Sequence, residues 1–111
     1  MPQPAPLSPP VFHILLALAD GERHGYSIMQ EIGERTGQRV KLGPGTLYGA
    51  LKRMLDDGWI EELEGDGEDE RRRSYRLTAS GRKVARAEAQ RLEELVIAAQ
   101  AKRLLSQTRP A

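Results

Sequence analysis

The sequence predicts a mainly α-helical fold with one small β-hairpin, on three observations. Apolar residues recur at helical spacing in three short stretches ahead of Gly58. Two short alternating segments then flank a glycine-containing acidic tip, and a last apolar stripe runs at helical spacing from Ala85 to Ala99. With 111 residues, 39% of them hydrophobic, the chain is one small domain whose limited core implies that burial against a partner supplements it. The absence of cysteine excludes a disulfide framework, a thiolate zinc site and a cysteine nucleophile. No apolar run reaches the roughly 18 residues needed to span a bilayer, so no membrane is expected and a cytoplasmic location fits. Residues 1–8, opening Met1-Pro2-Gln3-Pro4-Ala5-Pro6, lack the basic start, apolar core and cleavage site of a secretion signal and read as a flexible leader.

The first helix starts at Pro9 and Pro10, residues suited to a first turn, and Phe12, Leu15, Leu16 and Ala19 match one helical face. Val11, Ile14 and Leu18 add apolar surface on other sides, so cover is expected from more than one direction. Asp20-Gly21-Glu22 ends it. A second helix begins near His24-Gly25, turns Ile28, Met29 and Ile32 inward, and loosens between Gly33 and Gly37. Gly43-Pro44-Gly45 opens a third, where Leu47, Leu51, Met54 and Leu55 form the clearest apolar stripe in the chain and Gly58 supplies the stop.

Trp59-Ile60-Glu61-Glu62-Leu63 reads as a strand, Gly65-Asp66-Gly67 as a turn, and Arg72 to Leu77 as the returning strand, with Tyr75 and Leu77 on one face. Thr78 is a natural N-cap for a long final helix, whose stripe of Ala85, Ala89, Leu92, Leu95, Val96 and Ala99 has nothing left in the chain to cover it. The expected cover is a second copy, in exchange with the first helix. Three short helices followed by a hairpin make a winged helix-turn-helix. The organisation is a leader over 1–8, the winged domain over 9–77, a dimerisation helix over 78–106 and a frayed tail over 107–111.

The charge pattern is asymmetric. Seven acidic residues and no basic one lie between Glu61 and Glu70, which leaves the rest of the chain at +8 against an overall +1. A basic remainder permits a phosphate-binding face, although a solvated surface is the ordinary use of lysine and arginine. In a winged helix-turn-helix the third helix enters the major groove of DNA. It would offer Thr46, Tyr48, Lys52 and Arg53, while Arg71, Arg72 and Arg73 at the hairpin base would reach phosphates. His24 and Tyr26 stand at the start of the second helix, where first-turn N–H groups favour an anion; alternatively His24 caps and Tyr26 packs. A protein-interaction module, with the acidic hairpin and apolar last helix as its surface, is the second reading.

No phosphate loop, nucleophile triad or metal-ligand spacing is present, so neither an enzyme nor a cofactor or metal is expected. His13 reads as a surface or interface residue. Trp59 is a core anchor or, alternatively, the lining of a ligand pocket. Phe12, Leu16, Leu92 and Val96 are a dimer seam that would hold a small, flat hydrophobic effector if it left a gap.

Five ordered blocks resemble the PadR family of bacterial transcriptional regulators. They are Ile14 to Leu18, His24-Gly25-Tyr26-Ser27-Ile28, Gly45-Thr46-Leu47-Tyr48-Gly49-Ala50-Leu51-Lys52-Arg53, Gly58-Trp59-Ile60-Glu61 and Arg72 to Gly81. The resemblance implies a homodimeric winged-helix repressor that binds an inverted repeat in a promoter and is released by a small hydrophobic or aromatic molecule. It further implies that Tyr26 and Ser27 approach phosphates, Thr46, Tyr48 and Lys52 the major groove, and Arg72 and Arg73 the wing contact. Only one helix fits after Thr78, as in the short branch of the family, and Ser74 stands where an aromatic residue is common.

Overall fold

A computed structural model describes residues 6–63 and 73–106. Its elements are α1 (Pro9–Leu18), β1 (Arg23–His24), α2 (Gly25–Arg35), α3 (Pro44–Asp56), β2 (Ile60–Leu63), β3 (Ser74–Leu77) and α4 (Ala79–Ala101). The fold is mainly helical with a small antiparallel sheet, in agreement with the winged-helix expectation. The acidic tip from Glu64 to Glu70, its Gly65-Asp66-Gly67 turn, and Arg71 and Arg72 lie outside the described residues, as do the first five residues and the tail beyond Ser106.

Local chemistry sets most of the boundaries. Proline occupies the first turns of α1 and α3, where its missing N–H costs nothing. The α3 helix ends as expected at Gly58, whose φ of +76° lets its N–H reach Leu55 O and that of Trp59 reach Met54 O. Thr78 caps α4 as expected, its Oγ1 accepting the Gly81 N–H at 3.0 Å. The last helix stops at Ala101, where Arg103 takes a φ of +62°, so residues 102–106 lie beyond its regular turns.

The core joins Ile14, Leu15 and Leu18 of α1, Ile28 and Ile32 of α2, Leu47, Leu51 and Met54 of α3, Ile60 of β2 and Tyr75 of β3. Tyr75 and Leu77 share the inward side of β3 as expected, while Arg76 between them is exposed. The inward face of α1 departs from expectation. Val11, Ile14, Leu15 and Leu18 pack inward, whereas Leu16 is 38% exposed and Ala19 is an exposed C-cap. Because this helix is apolar nearly all round, two faces one residue apart both satisfy helical spacing, and only the neighbouring elements choose between them.

The sheet also has a third strand. Its order is β1-β3-β2, with Arg23 opposite Tyr75 and His24 opposite Ser74 on one side of β3, and Ile60 opposite Leu77 on the other. Two residues are too short for alternation to appear, so β1 was invisible in the sequence pattern.

The α4 helix starts at very close range against Gly58 and Trp59, just ahead of β2. Trp59 O accepts the Thr78 N–H at 3.0 Å, and Thr78 Oγ1 donates to Gly58 O at 2.6 Å. A Cβ on Gly81 would lie 1.8 Å from Trp59 O, so only glycine permits this approach. Alanine is ordinarily the better helix former, yet Gly81→Ala is expected to destabilise the fold by about 2–3 kcal/mol, read as a lower urea midpoint at unchanged m-value.

Candidate nucleic-acid interface

The α3 helix has two distinct faces. Leu47, Ala50, Leu51 and Met54 are buried, and Thr46, Lys52 and Arg53 are exposed. Among the described residues, neither Lys52 nor Arg53 has an ion pair or a side-chain hydrogen bond. Tyr48 departs from this outer set. It is half-buried against the core, and its phenol lies so close to the start of α2 that a Cβ on Gly25 would sit 2.7 Å from its oxygen. Tyr48 therefore wedges α3 against α2, with Gly25 making the room.

At the start of α2, His24 is the N-cap residue but its side chain does not cap; its Nδ1 instead pairs with Ser74 Oγ at 3.0 Å. Tyr26 is 56% exposed and does not pack in the core. Ser27 is half-buried in the same first turn, where its Oγ accepts Arg23 Nη1 at 3.3 Å. The first turn of α2 and the polar face of α3 are thus joined through Tyr48 and Gly25.

The wing cations are engaged within the sheet. Arg73 is exposed and its Nε lies 3.2 Å from Glu62 Oε1, while Arg76 pairs with Glu61. An open groove between α3 and the wing is lined by Tyr48, Leu51, Lys52, Leu55, Glu62, Arg73 and Tyr75. Arg72 lies outside the described residues, so only Arg73 of the expected wing pair has a described position.

The residues read as an effector site separate into two places within one chain. Phe12 and Leu92 are half-buried, and Leu16 and Val96 are 38% and 40% exposed, on the packed pair α1 and α4. Trp59 packs on the core beside Gly81 instead. Leu92 and Val96 follow Gly81 by three to four helical turns, roughly 16–22 Å along the axis.

Two ionisable groups in this region have partners that the sequence pattern does not show. Glu88 interrupts the apolar stripe of α4 and is 6% exposed. Its carboxylate accepts Arg91 Nε at 2.7 Å, Arg91 Nη2 at 2.9 Å and the Leu7 N–H at 3.3 Å. The Arg91 hydrogen bond dominates and holds the Glu88 pKa below its ordinary 4.5. A carboxylate inside an apolar stripe was the available signal. On α1, His13 Nδ1 accepts Arg35 Nη1 at 3.0 Å, since a guanidinium only donates. Burial, then the charge of Arg35, lowers the His13 pKa from 6.5.

A profile described as the Transcriptional regulator PadR-like family matches residues 14–87. The chain belongs to this family. The PadR-like chain is 41% identical over 83 residues to Transcriptional regulator Rv3488 of Mycobacterium tuberculosis, covering 75% of each. It spans only 22% of the length of another curated relative that it matches. A PadR family transcription regulator from Clostridium difficile superposes with a TM-score of 0.72 at 25% identity, over 85% of this chain and 97% of that one. Bacillus subtilis PadR in complex with operator DNA is similar at a TM-score of 0.57 and 28% identity, over 90% of this chain and 49% of that one.

Glu88 and His13 make stability depend on pH with the same sign. Unfolded His13 takes up a proton at higher pH than folded His13, so its contribution is complete above 6.5 and declines as pH falls below it. The Glu88 contribution is complete above 4.5 and is lost as pH falls through the lower folded value. Urea midpoints measured across pH should therefore fall in two windows. The upper decline should vanish in His13→Asn, which retains an acceptor, and the lower one in Glu88→Gln.

Proposed function

We propose that this PadR-like chain is a homodimeric repressor that binds an inverted repeat in double-stranded promoter DNA and works in the cytoplasm. The observation that carries the reading is the exposed face of Thr46, Lys52 and Arg53, whose two cations have no ion pair among the described residues, on a helix whose opposite face is in the core. A helix so oriented can enter the major groove without losing packing. Tyr26 and Ser27 then meet the phosphate backbone from the first turn of α2, and Arg73, with Arg72, meets it from the wing. Tyr48 supports the groove-facing helix against α2 and lines the same open groove as Lys52. The family membership and the operator-bound Bacillus subtilis relative support DNA as the partner.

The dimer is assigned to α1 and α4. Leu95 is 55% exposed and Val96 40% exposed on α4, and Leu16 is 38% exposed on α1, apolar surface that a second copy would cover. A small hydrophobic or aromatic effector would lie in that seam, against Phe12, Leu16, Leu92 and Val96. Trp59 would join such a site only through an arrangement of two chains, because within one chain it belongs to the α4 start.

Selection of duplexes from fragmented genomic DNA, checked by anisotropy at two salt concentrations, tests the reading. An enriched inverted repeat is expected. A folded dimer that enriches nothing and shows a flat salt response would move the assignment to a protein-interaction module. For wild type, log K should fall against log salt with a slope near −0.9 per phosphate neutralised, and Lys52→Ala should make that slope shallower by about 1. In sedimentation, Leu92→Asp should yield monomers or unfolded chain, because it places an unpaired charge in the apolar seam; an unchanged dimer mass would place the seam elsewhere.

A further inference from the structure

We infer that Arg23 is a positioning residue for DNA contact, acting through the Ser27 hydroxyl. The inference rests on the DNA-binding reading above. Arg23 sits in β1, where three elements meet: its backbone pairs with Tyr75 of the wing, and its side chain spans from the end of α1 to the first turn of α2. Each corner of the guanidinium has a partner. Nε donates to Ala17 O at 2.7 Å, Nη2 lies 3.5 Å from Asp20 Oδ2, and Nη1 donates to Ser27 Oγ at 3.3 Å.

The chemistry of the last bond is directional. A guanidinium has donors and no acceptor, so Ser27 Oγ must accept and its own O–H must point elsewhere. Ser27 lies in the first turn of α2, where the helix presents its N–H groups and positive end, and the side chain of the N-cap residue His24 does not cap that end. With Arg23 occupying one lone pair, the hydroxyl hydrogen is turned away from the guanidinium, which leaves it available to a phosphate oxygen approaching the first turn of α2. A free serine rotor would spend part of its time bonded to its own helix instead. The same guanidinium covers the orphan Ala17 carbonyl at the end of α1, so the hydroxyl is referenced to a fixed point in the core.

Arg23 is only partly exposed at 28% and is already engaged at every corner, which distinguishes it from Lys52 and Arg53, exposed and without an ion pair among the described residues. It therefore aligns another group and is not itself a phosphate ligand.

The test is a double-mutant cycle in the full chain, using anisotropy of a short fluorescein-labelled mixed-sequence duplex, since phosphate contacts are read without sequence. The proteins are wild type, Arg23→Lys, Ser27→Ala and the double variant. Arg23→Lys retains the charge but cannot hold three corners at once. Each single change is expected to weaken binding roughly tenfold, and the double variant should be no weaker than Ser27→Ala alone. Ser27→Thr, which keeps a hydroxyl, should restore most of the affinity, and the salt slope of Arg23→Lys should match wild type.

Losses that multiply in the double variant would overturn the inference, because Arg23 would then act independently of Ser27. A shallower salt slope in Arg23→Lys would overturn it also, by making Arg23 a direct phosphate contact. If Arg23→Lys does not fold, Arg23→Gln, whose neutral amide NH2 still donates, takes its place in the cycle, and the non-additivity with Ser27→Ala is then the deciding readout. A wild-type protein without salt-dependent duplex binding would remove the DNA reading and this inference together, and additive losses on a binding wild type remove the inference alone.

Discussion

The fold turns on the contact between the first turn of α4 and the carbonyl of Trp59. Gly58 stops α3 by taking a left-handed conformation, and Trp59 must then leave in a fixed direction as the start of the wing. The same Trp59 carbonyl accepts the Thr78 N–H as the chain returns, and Gly81 admits the new helix to a distance no side chain would tolerate. One backbone oxygen thereby relates the end of α3, both edges of the hairpin and the axis of α4. The polar face of α3 and the apolar face of α4 are held in one frame by this junction.

A second constraint is the cost of leaving polar groups unmatched, and it separates structural arginines from available ones. Arg23 and Arg82 donate to carbonyls at the end of α1, Arg35 joins α2 to His13, and Arg91 neutralises the buried Glu88. Arg73 and Arg76 are matched across the wing by Glu62 and Glu61. Lys52 and Arg53, like Arg39, Lys83 and Arg86, have no ion pair or side-chain hydrogen bond among the described residues, and what sets them apart is their place on the outer face of α3. Exposed surface pairs are individually weak, so a polyanion can compete for Arg73, whereas the corners of Arg23 are held together by a buried carbonyl and two side chains.

Much of the architecture was legible because it is written in local chemistry. The proline starts of α1 and α3, the glycine stop at Gly58, the Thr78 cap and the inward pair Tyr75 and Leu77 need no knowledge of distant residues. The α3 helix was the most readable because its apolar residues occupy one face only, which also makes its outward residues Thr46, Lys52 and Arg53 readable. The α1 helix was misread for the opposite reason, since its apolar residues occupy every face. Tyr48 was read as outward from its position on the helix, but an aromatic ring reaches beyond its own face, and the space left by Gly25 draws it toward α2.

The sequence alone therefore determined the family, the order of the helices and the hairpin, and which helix carries an outward polar face, because caps, stops and periodicity act over a few residues. Tertiary structure decided the rest. The strand at Arg23, the face that α1 buries, the carboxylate of Glu88 held by Arg91 and Leu7, and the separation of Trp59 from Leu92 and Val96 all depend on groups far apart in the chain. Each is set by which partner satisfies a backbone or charged group once the core has closed, and such partners have no periodic signature to read.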